Sequence, residues 1–336
     1  MKSFRRYRLS IRMRAGISLT ELVVVVGILT LLFAISAPAI QSAREASRRI
    51  QCESNLRQLV VAALNLETVA RHLPGSFMNA HPESVDYRSD RGLFITLLPY
   101  ADGLELYSRF DLAVPTNSQN NKSLLRAVPS YLQCPSASER EVLHDMSGHF
   151  SGPIVPELNG IACDYMGNGG CLDNGTIEFG VIRARVGKLT RERRFSEITD
   201  GSSHTLLFWE SVGGYLRRFG SGTKASIDRD CQSTIEFSLD SSDRNLLRSR
   251  TQASSKSYMF SWSGFRTGMM QAYKGRVANV SNEYGGLFSS HVAIVPCCLS
   301  DGCIRLLSDS IDANVAIALA TAGKGETDTW MGTSNN

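Results

Sequence analysis

The 336-residue chain has no Cys-x-x-Cys pair, no Gly-x-Ser-x-Gly, no His-Glu-x-x-His, no Walker loop and no dinucleotide-binding Gly-x-Gly-x-x-Gly. The first absence argues against dithiol redox catalysis and zinc ribbons; the others argue against the common hydrolase, zinc-protease and nucleotide-dependent classes. Enzyme sites are recognised by geometry rather than by motif, but with nothing of this kind present no enzyme and no cofactor are expected. Acidic residues are missing from the first sixteen positions, which hold Lys2, Arg5, Arg6, Arg8, Arg12 and Arg14. With those six set aside, 30 basic residues face 32 acidic ones, so the basic balance belongs to the N-terminus and the rest shows no nucleic-acid footprint. There is no internal repeat, low-complexity tract or linker.

What is present begins with a long apolar run. From Leu22 to Ile40 nineteen residues carry no charge, about 28 Å as a helix, against about 30 Å of bilayer hydrocarbon. A single span is predicted, with residues 1–16 cytoplasmic by the positive-inside rule and everything beyond Gln41 exported. Ser36-Ala37-Pro38-Ala39 is the candidate cleavage site of an ordinary secretory signal, but the run is too long for one and Glu21 stands at its front. A carboxylate within a bilayer costs a few kcal/mol and marks a functional position that needs a partner. Pro38, near the membrane exit, is expected to kink or loosen the helix.

Gly16-Ile17-Ser18-Leu19-Thr20-Glu21, between the basic leader and the apolar helix, resembles the class III signal of type IV pilins and type II secretion pseudopilins. The resemblance implies cleavage after Gly16 by a prepilin peptidase, N-methylation of the new terminus at Ile17, and assembly with other pilin-like subunits. The chemistry can also be read directly. Cleavage creates an amine on Ile17 one helical turn before Glu21, so the two can pair within one chain or between neighbours. Between chains, satisfying a carboxylate among apolar neighbours favours one axial offset.

Leu56, Leu59, Val60, Ala63 and Leu64 recur at helical spacing, so the helix is expected to continue beyond the membrane as an amphipathic segment and to stop at His72-Leu73-Pro74-Gly75. Its wetter faces offer Glu45 with Arg49 and Glu53 with Arg57 as ion pairs. After residue 75, short apolar runs alternate with Gly, Asn, Asp, Ser and Pro: Gly92–Tyr100, Val128–Pro135, His204–Trp209, Ser257–Trp262, His291–Leu299 and Cys303–Ile311. They read as β-strands joined by long loops, and residues 312–322 as a short closing helix. The resulting expectation is an α+β, pilin-like fold: leader 1–16, helix 17–72, and one head, 73–336, whose antiparallel sheet packs on the helix.

Five stretches resemble, in order and over nearly the whole chain, a large family of exported bacterial proteins of unknown function: 47–67, 97–112, 128–136, 198–211 and 288–312. That family carries a prepilin-type N-terminus and a C-terminal His-x9-Asp-Gly motif, here His291, Asp301 and Gly302. The chain departs from the family after the histidine, where it has Val292, Ala293, Pro296, Cys297 and Cys298; Pro296 predicts an edge, a bulge or a late-starting strand.

Asp301-Gly302 between apolar runs predicts a hairpin with a type I′ turn. If the residues between His291 and Asp301 are extended, the two lie roughly 33 Å apart, and His291 is expected to bond backbone at the strand's beginning, with ligand recognition as the other use. Ile198–Ser202 repeats the Asp-Gly turn; Asp200, Ser202 and Glu210 there, and Asp173 in a second loop, are candidate calcium ligands without an EF-hand pattern. Eight cysteines in an oxidising space permit disulfides, with Cys163–Cys171 and one of Cys297 or Cys298 with Cys303 linked by short loops; buried thiols are the other reading. Three functions follow: a prepilin-like filament subunit, expected first; a membrane-anchored module binding a glycan, solute or protein; and a tethered hydrolase using His291, Asp200 or Asp301.

Overall fold

The computed structural model describes residues 18–78, 92–114, 116, 119–137, 142–143, 160–173, 176–182, 184–186, 192–212, 217–221, 224–228, 262–263, 267–271, 277–279 and 286–323. Two compact units emerge, residues 1–47 and 48–336.

Helix α1, Leu19–Ala70, runs through Pro38 without ending. Proline removes the bond its own N–H would make to the Ala34 carbonyl and crowds that carbonyl with its ring, but the turns on either side keep their bonds. In the first unit Leu22 to Ile40 are exposed throughout, a side-chain surface that water alone does not stabilise. This helix is long and apolar enough to cross a membrane. At its other end Arg71 adopts a left-handed φ of 62° and closes the helix two residues before Leu73 turns into the core.

In the second unit, α1 from Arg48 onward belongs with the head. Leu56, Leu59, Val60 and Ala63 are fully buried, as the spacing predicts, while Leu64 is half-buried; Cys52, one turn earlier, is buried as well. Arg49 pairs with Glu53 at 3.7 Å on the wet side. The remaining helices are short: α2 (Leu93–Leu97), α3 (Leu104–Arg109) and α4 (Ala313–Ala320), the last capped by Asp312, which accepts the Asn314 N–H at 2.8 Å.

The strands are β1 (Ser76–Met78), β2 (Val142–Leu143), β3 (Gly160–Ile161), β4 (Tyr165–Asp173), β5 (Thr176–Phe179), β6 (Ala184–Val186), β7 (Leu206–Glu210), β8 (Arg217–Ser221), β9 (Lys224–Asp228), β10 (Thr267–Gln271), β11 (Ile294–Leu299) and β12 (Ile304–Ser308). The main sheet has the order β10-β4-β7-β11-β12, with β5 also on β4. It is antiparallel except for β10, which pairs parallel to β4, so the sheet is mixed rather than purely antiparallel. The class is α+β.

Both faces are covered. Tyr165, Phe208 and Cys298 share one core cluster with Leu56, Leu59, Val60 and Ala63 of α1. Met166, Trp209, Val295, Cys297 and Leu307 share another with Ala316, Ile317, Leu319 and Ala320 of α4.

Two apolar runs read as strands are helical instead. Gly92–Tyr100 forms α2 followed by a 3-10 turn at Leu98–Tyr100, and Val128–Pro135 carries a 3-10 turn at Ser130–Leu132. Leu93, Phe94, Ile95, Leu97 and Leu98 are all buried, and a run buried on every side has no periodicity to separate helix from strand. Most of Ser257–Trp262 lies outside the described residues. Pro296 behaves as predicted: β11 pairs with β12 along its length but with β7 only from Cys297 onward, a ladder that starts after the residue lacking an N–H.

The β11–β12 hairpin differs in turn type. The Leu299 N–H reaches the Cys303 carbonyl at 2.9 Å and the Gly302 N–H reaches the Leu299 carbonyl at 3.1 Å, enclosing Ser300-Asp301-Gly302. Only Gly302 has positive φ, at 95°. This is a three-residue loop ending in a left-handed glycine, not a type I′ turn, because Asp301 turns its carboxylate onto the Cys303 N–H at 2.9 Å instead of entering the left-handed region itself.

Gly170 sits at φ 121° in the bulged middle of β4, where a Cβ would run into the Glu178 carbonyl oxygen. Gly170→Ala is expected to destabilise the head by about 3 kcal/mol or more, through strain and loss of the β4–β5 pairing. Urea unfolding followed by tryptophan fluorescence, with Trp209 and Trp262 both buried, measures it; an unchanged midpoint would remove this account of the strand.

Candidate functional site

The residues singled out in the sequence fall into three places. Gly16 and Ile17 lie outside the described residues. Ser18 and Glu21 form the start of α1: the Ser18 N–H donates to Glu21 Oε2 at 2.9 Å and the Thr20 N–H donates to Ser18 Oγ at 3.3 Å. Ser18-Leu19-Thr20-Glu21 therefore makes the glutamate half of a capping box, with Ser18 Oγ on the Thr20 N–H, a local partner for Glu21 that the sequence reading missed although the Ser-x-x-Glu spacing is its signature.

The second place joins the two Asp-Gly turns. The Asp301 N–H donates to the Ser202 carbonyl at 3.1 Å and the Ser300 N–H to the Thr205 carbonyl at 2.8 Å, so the loop before β7 supports the hairpin loop after β11. Asp200 is buried and accepts from Thr321 Oγ1 at 3.4 Å. Asp200 and Glu210 lie at opposite ends of β7, so the oxygen ligands considered for calcium there do not converge. Asp173 ends β4 opposite Thr176, and the rest of its loop is outside the described residues.

His291 precedes β11 and Asp301 follows it, which sets them roughly 20 Å apart for a six-residue strand. They form no pair. Cys163, Cys171, Cys297, Cys298 and Cys303 are thiols, so the disulfides considered for them are not formed. Cys163 packs in the α1-side core and Cys171 in the α4-side core, on opposite faces of the sheet. Cys298 faces α1 and is buried, whereas Cys303 is exposed beyond the turn. Burial raises the Cys298 thiol to about 12 and pushes Cys297 upward as well, which makes both inert.

The third place is where His291 does find company. Cys52 on α1, Cys134 after the Ser130–Leu132 turn, Glu210 at the end of β7 and His291 before β11 are all buried, and their ligand-type atoms lie within 4.8 Å of one another. Cys52 Sγ is 2.8 Å from Cys134 Sγ, Cys134 Sγ is 3.7 Å from His291 Nε2, and His291 Nε2 is 3.7 Å from Glu210 Oε2. Val212 and Phe288 shield the two thiols from water.

Backbone and polar contacts hold each member. The Cys134 N–H donates to Asp164 Oδ2 at 2.8 Å, and Asn55 Nδ2, one turn after Cys52, donates to the Gln133 carbonyl at 3.1 Å and to Tyr165 Oη at 3.2 Å. The Phe288 N–H donates to the Glu210 carbonyl at 3.2 Å, the Ser211 N–H to the Asp164 carbonyl at 2.8 Å, and the His291 N–H to Ser289 Oγ at 3.0 Å.

Electrostatics set this cluster apart. Burial, with the Cys134 thiol next, drives the Glu210 carboxyl well above the carboxylate range, and neither of its oxygens accepts a hydrogen bond among the described residues. The Cys52 contact and burial push Cys134 far up. The donor set of two sulfurs, an imidazole nitrogen and a carboxylate is one that binds a metal ion.

A protein-family model described as "Protein of unknown function (DUF1559)" matches residues 41–314. The chain belongs to this family. The DUF1559 match contains all four clustered residues and the His291, Asp301 and Gly302 motif, and begins after the membrane-length run. No curated protein and no solved structure matches the chain.

The arrangement predicts selective reactivity. Under native, reducing conditions iodoacetamide is expected to modify Cys303, while Cys52, Cys134, Cys163, Cys171, Cys297 and Cys298 react only after unfolding. Peptide mass mapping reads this out, and native labelling of Cys52 or Cys134 would contradict their placement.

Proposed function

We propose that this DUF1559 protein is a prepilin-like structural and interaction subunit: held by its N-terminal helix, trimmed after Gly16, N-methylated at Ile17, and assembled in or near a type IV pilus or type II secretion pseudopilus-like structure. The reading places residues 1–16 in the cytoplasm and the head outside. Prepilin peptidase and other pilin-like subunits are the partners it calls for.

The observation that carries it is the start of α1. Glu21 folds back onto the Ser18 N–H, one peptide unit from the position where cleavage after Gly16 would create a positive amine. A carboxylate already turned towards that point accepts the amine of its own chain or a neighbour's with little rearrangement, and the charge pair is worth most where apolar side chains exclude water. The exposed apolar surface from Leu22 to Ile40 supports the same reading, since it suits lipid before assembly and like helices after it.

Replacing Gly16 with Leu is expected to leave the leader attached. Glu21→Val is expected to permit trimming but reduce the chain's presence in sheared surface filaments by about ten-fold, the factor equivalent to a single lost pair of about 1.4 kcal/mol. N-terminal sequencing and intact mass of membrane and sheared fractions test both. A wild-type terminus at Met1, or a Glu21→Val variant recovered normally in filaments, would sink the proposal.

A further inference from the structure

We propose that Cys52, Cys134, Glu210 and His291 form a closed structural metal centre that binds Zn2+ or a similarly soft divalent cation, independent of the filament reading above. Four ligand atoms from four distant segments meet within 4.8 Å inside the head. A tetrahedral Zn2+ with ordinary Zn–S, Zn–N and Zn–O bonds places its ligand atoms about 3.4–3.8 Å apart. The two edges at His291 Nε2, both 3.7 Å, already have that length. The edge between Cys52 and Cys134, at 2.8 Å, must open by about 1 Å, and the other three edges lie within 4.8 Å.

A second, independent observation is the state of Glu210. It is fully buried, faces the cluster, and has no hydrogen bond to either carboxylate oxygen among the described residues. A buried acid with no hydrogen bond, and only His291 Nε2 beside it at 3.7 Å, is destabilising, whereas a bound dication satisfies both its charge and its lone pairs. Ser211 Oγ, in the same stretch of chain, also lacks a partner there.

Donor chemistry selects the ion. Two thiolates and an imidazole favour Zn2+ over Ca2+ or Mg2+, which take oxygen ligands. Four protein ligands and complete burial leave no open position for a reacting water, so the centre is structural rather than catalytic. Binding releases protons from the thiols and joins α1, the Cys134 loop, β7 and the segment leading into β11 at one point. Asp164, through the Cys134 N–H, and Asn55, through the Gln133 carbonyl, position the sulfur ligand.

The test uses the full chain purified in detergent under reducing conditions without chelator. Elemental analysis is expected to find about one Zn2+ per chain, and Co2+ exchange to give the visible and near-ultraviolet bands of thiolate-bound tetrahedral cobalt. Glu210→Gln, which keeps the side-chain shape, is expected to weaken Zn2+ binding about ten-fold or more in a chelator competition. Cys303→Ser, at an exposed thiol outside the cluster, is expected to leave it unchanged. Wild-type protein that holds no zinc and gives no cobalt bands would overturn the proposal, as would a peptide map linking Cys52 to Cys134 as a disulfide in native membranes. The wild-type cobalt spectrum decides even if a cluster variant does not fold.

Discussion

Burial of one face of α1 against the sheet determines where every other element of the head can sit. Leu56, Leu59, Val60 and Leu66 lose almost all contact with water, each worth about 1.5–3 kcal/mol against the exposed state. Their partners are the side chains that Tyr165, Phe208 and Cys298 raise from three neighbouring strands. Cys52 lies one helical turn before Leu56 on the same face, so the packing that buries the leucines also carries a thiol to the end of β7. Asn55 enters beside it and satisfies its amide on Gln133 and Tyr165 rather than on water.

A single extra residue in β7 decides what meets that thiol. Leu206 and Leu299 share the α4 side, and strict alternation from Leu206 would send Phe208 and Glu210 to that side too. The register instead shifts between Cys298 and Leu299, leaving Leu207 without a counterpart. Beyond the bulge Phe208 faces α1, Trp209 faces α4, and Glu210 points back to the α1 side opposite Tyr165. Without the bulge the carboxylate would be buried among the apolar side chains under α4. The bulge brings the carboxyl to Cys52, Cys134 and His291 instead.

The sequence made the helix legible because its signals are local and periodic. The charge-free run, the apolar stripe and the closing helix each announce themselves within one or two turns, and β7, β11 and β12 are bounded by Asp, Gly and Ser as strands should be. Gly92–Tyr100 was not legible, since a fully buried run has no polar face to set its period. The hairpin was legible but its turn type was not: Asp301 has the option of binding a backbone N–H, and tertiary support from Ser202 selects that option. The cluster was the least legible. Its members, at 52, 134, 210 and 291, have no short spacing to form a motif, and His291 pointed to Asp301 in the sequence while the fold gives it Cys134 and Glu210. The one usable signal was Cys52, at the spacing of the Leu56 stripe.

Two close thiols in the head face two exclusive outcomes, since a disulfide and a thiolate metal centre consume the same sulfurs. The surroundings favour the metal. A disulfide would use Cys52 and Cys134 and leave Glu210 buried beside His291 with no cation, so the cost of that carboxylate would persist. A dication engages all four residues at once and fixes α1 to three separate parts of the head, at a point shielded by Val212 and Phe288. A bond formed at Cys52 therefore restrains unravelling of the head at the point where α1 enters its core, among Leu56, Leu59 and Val60.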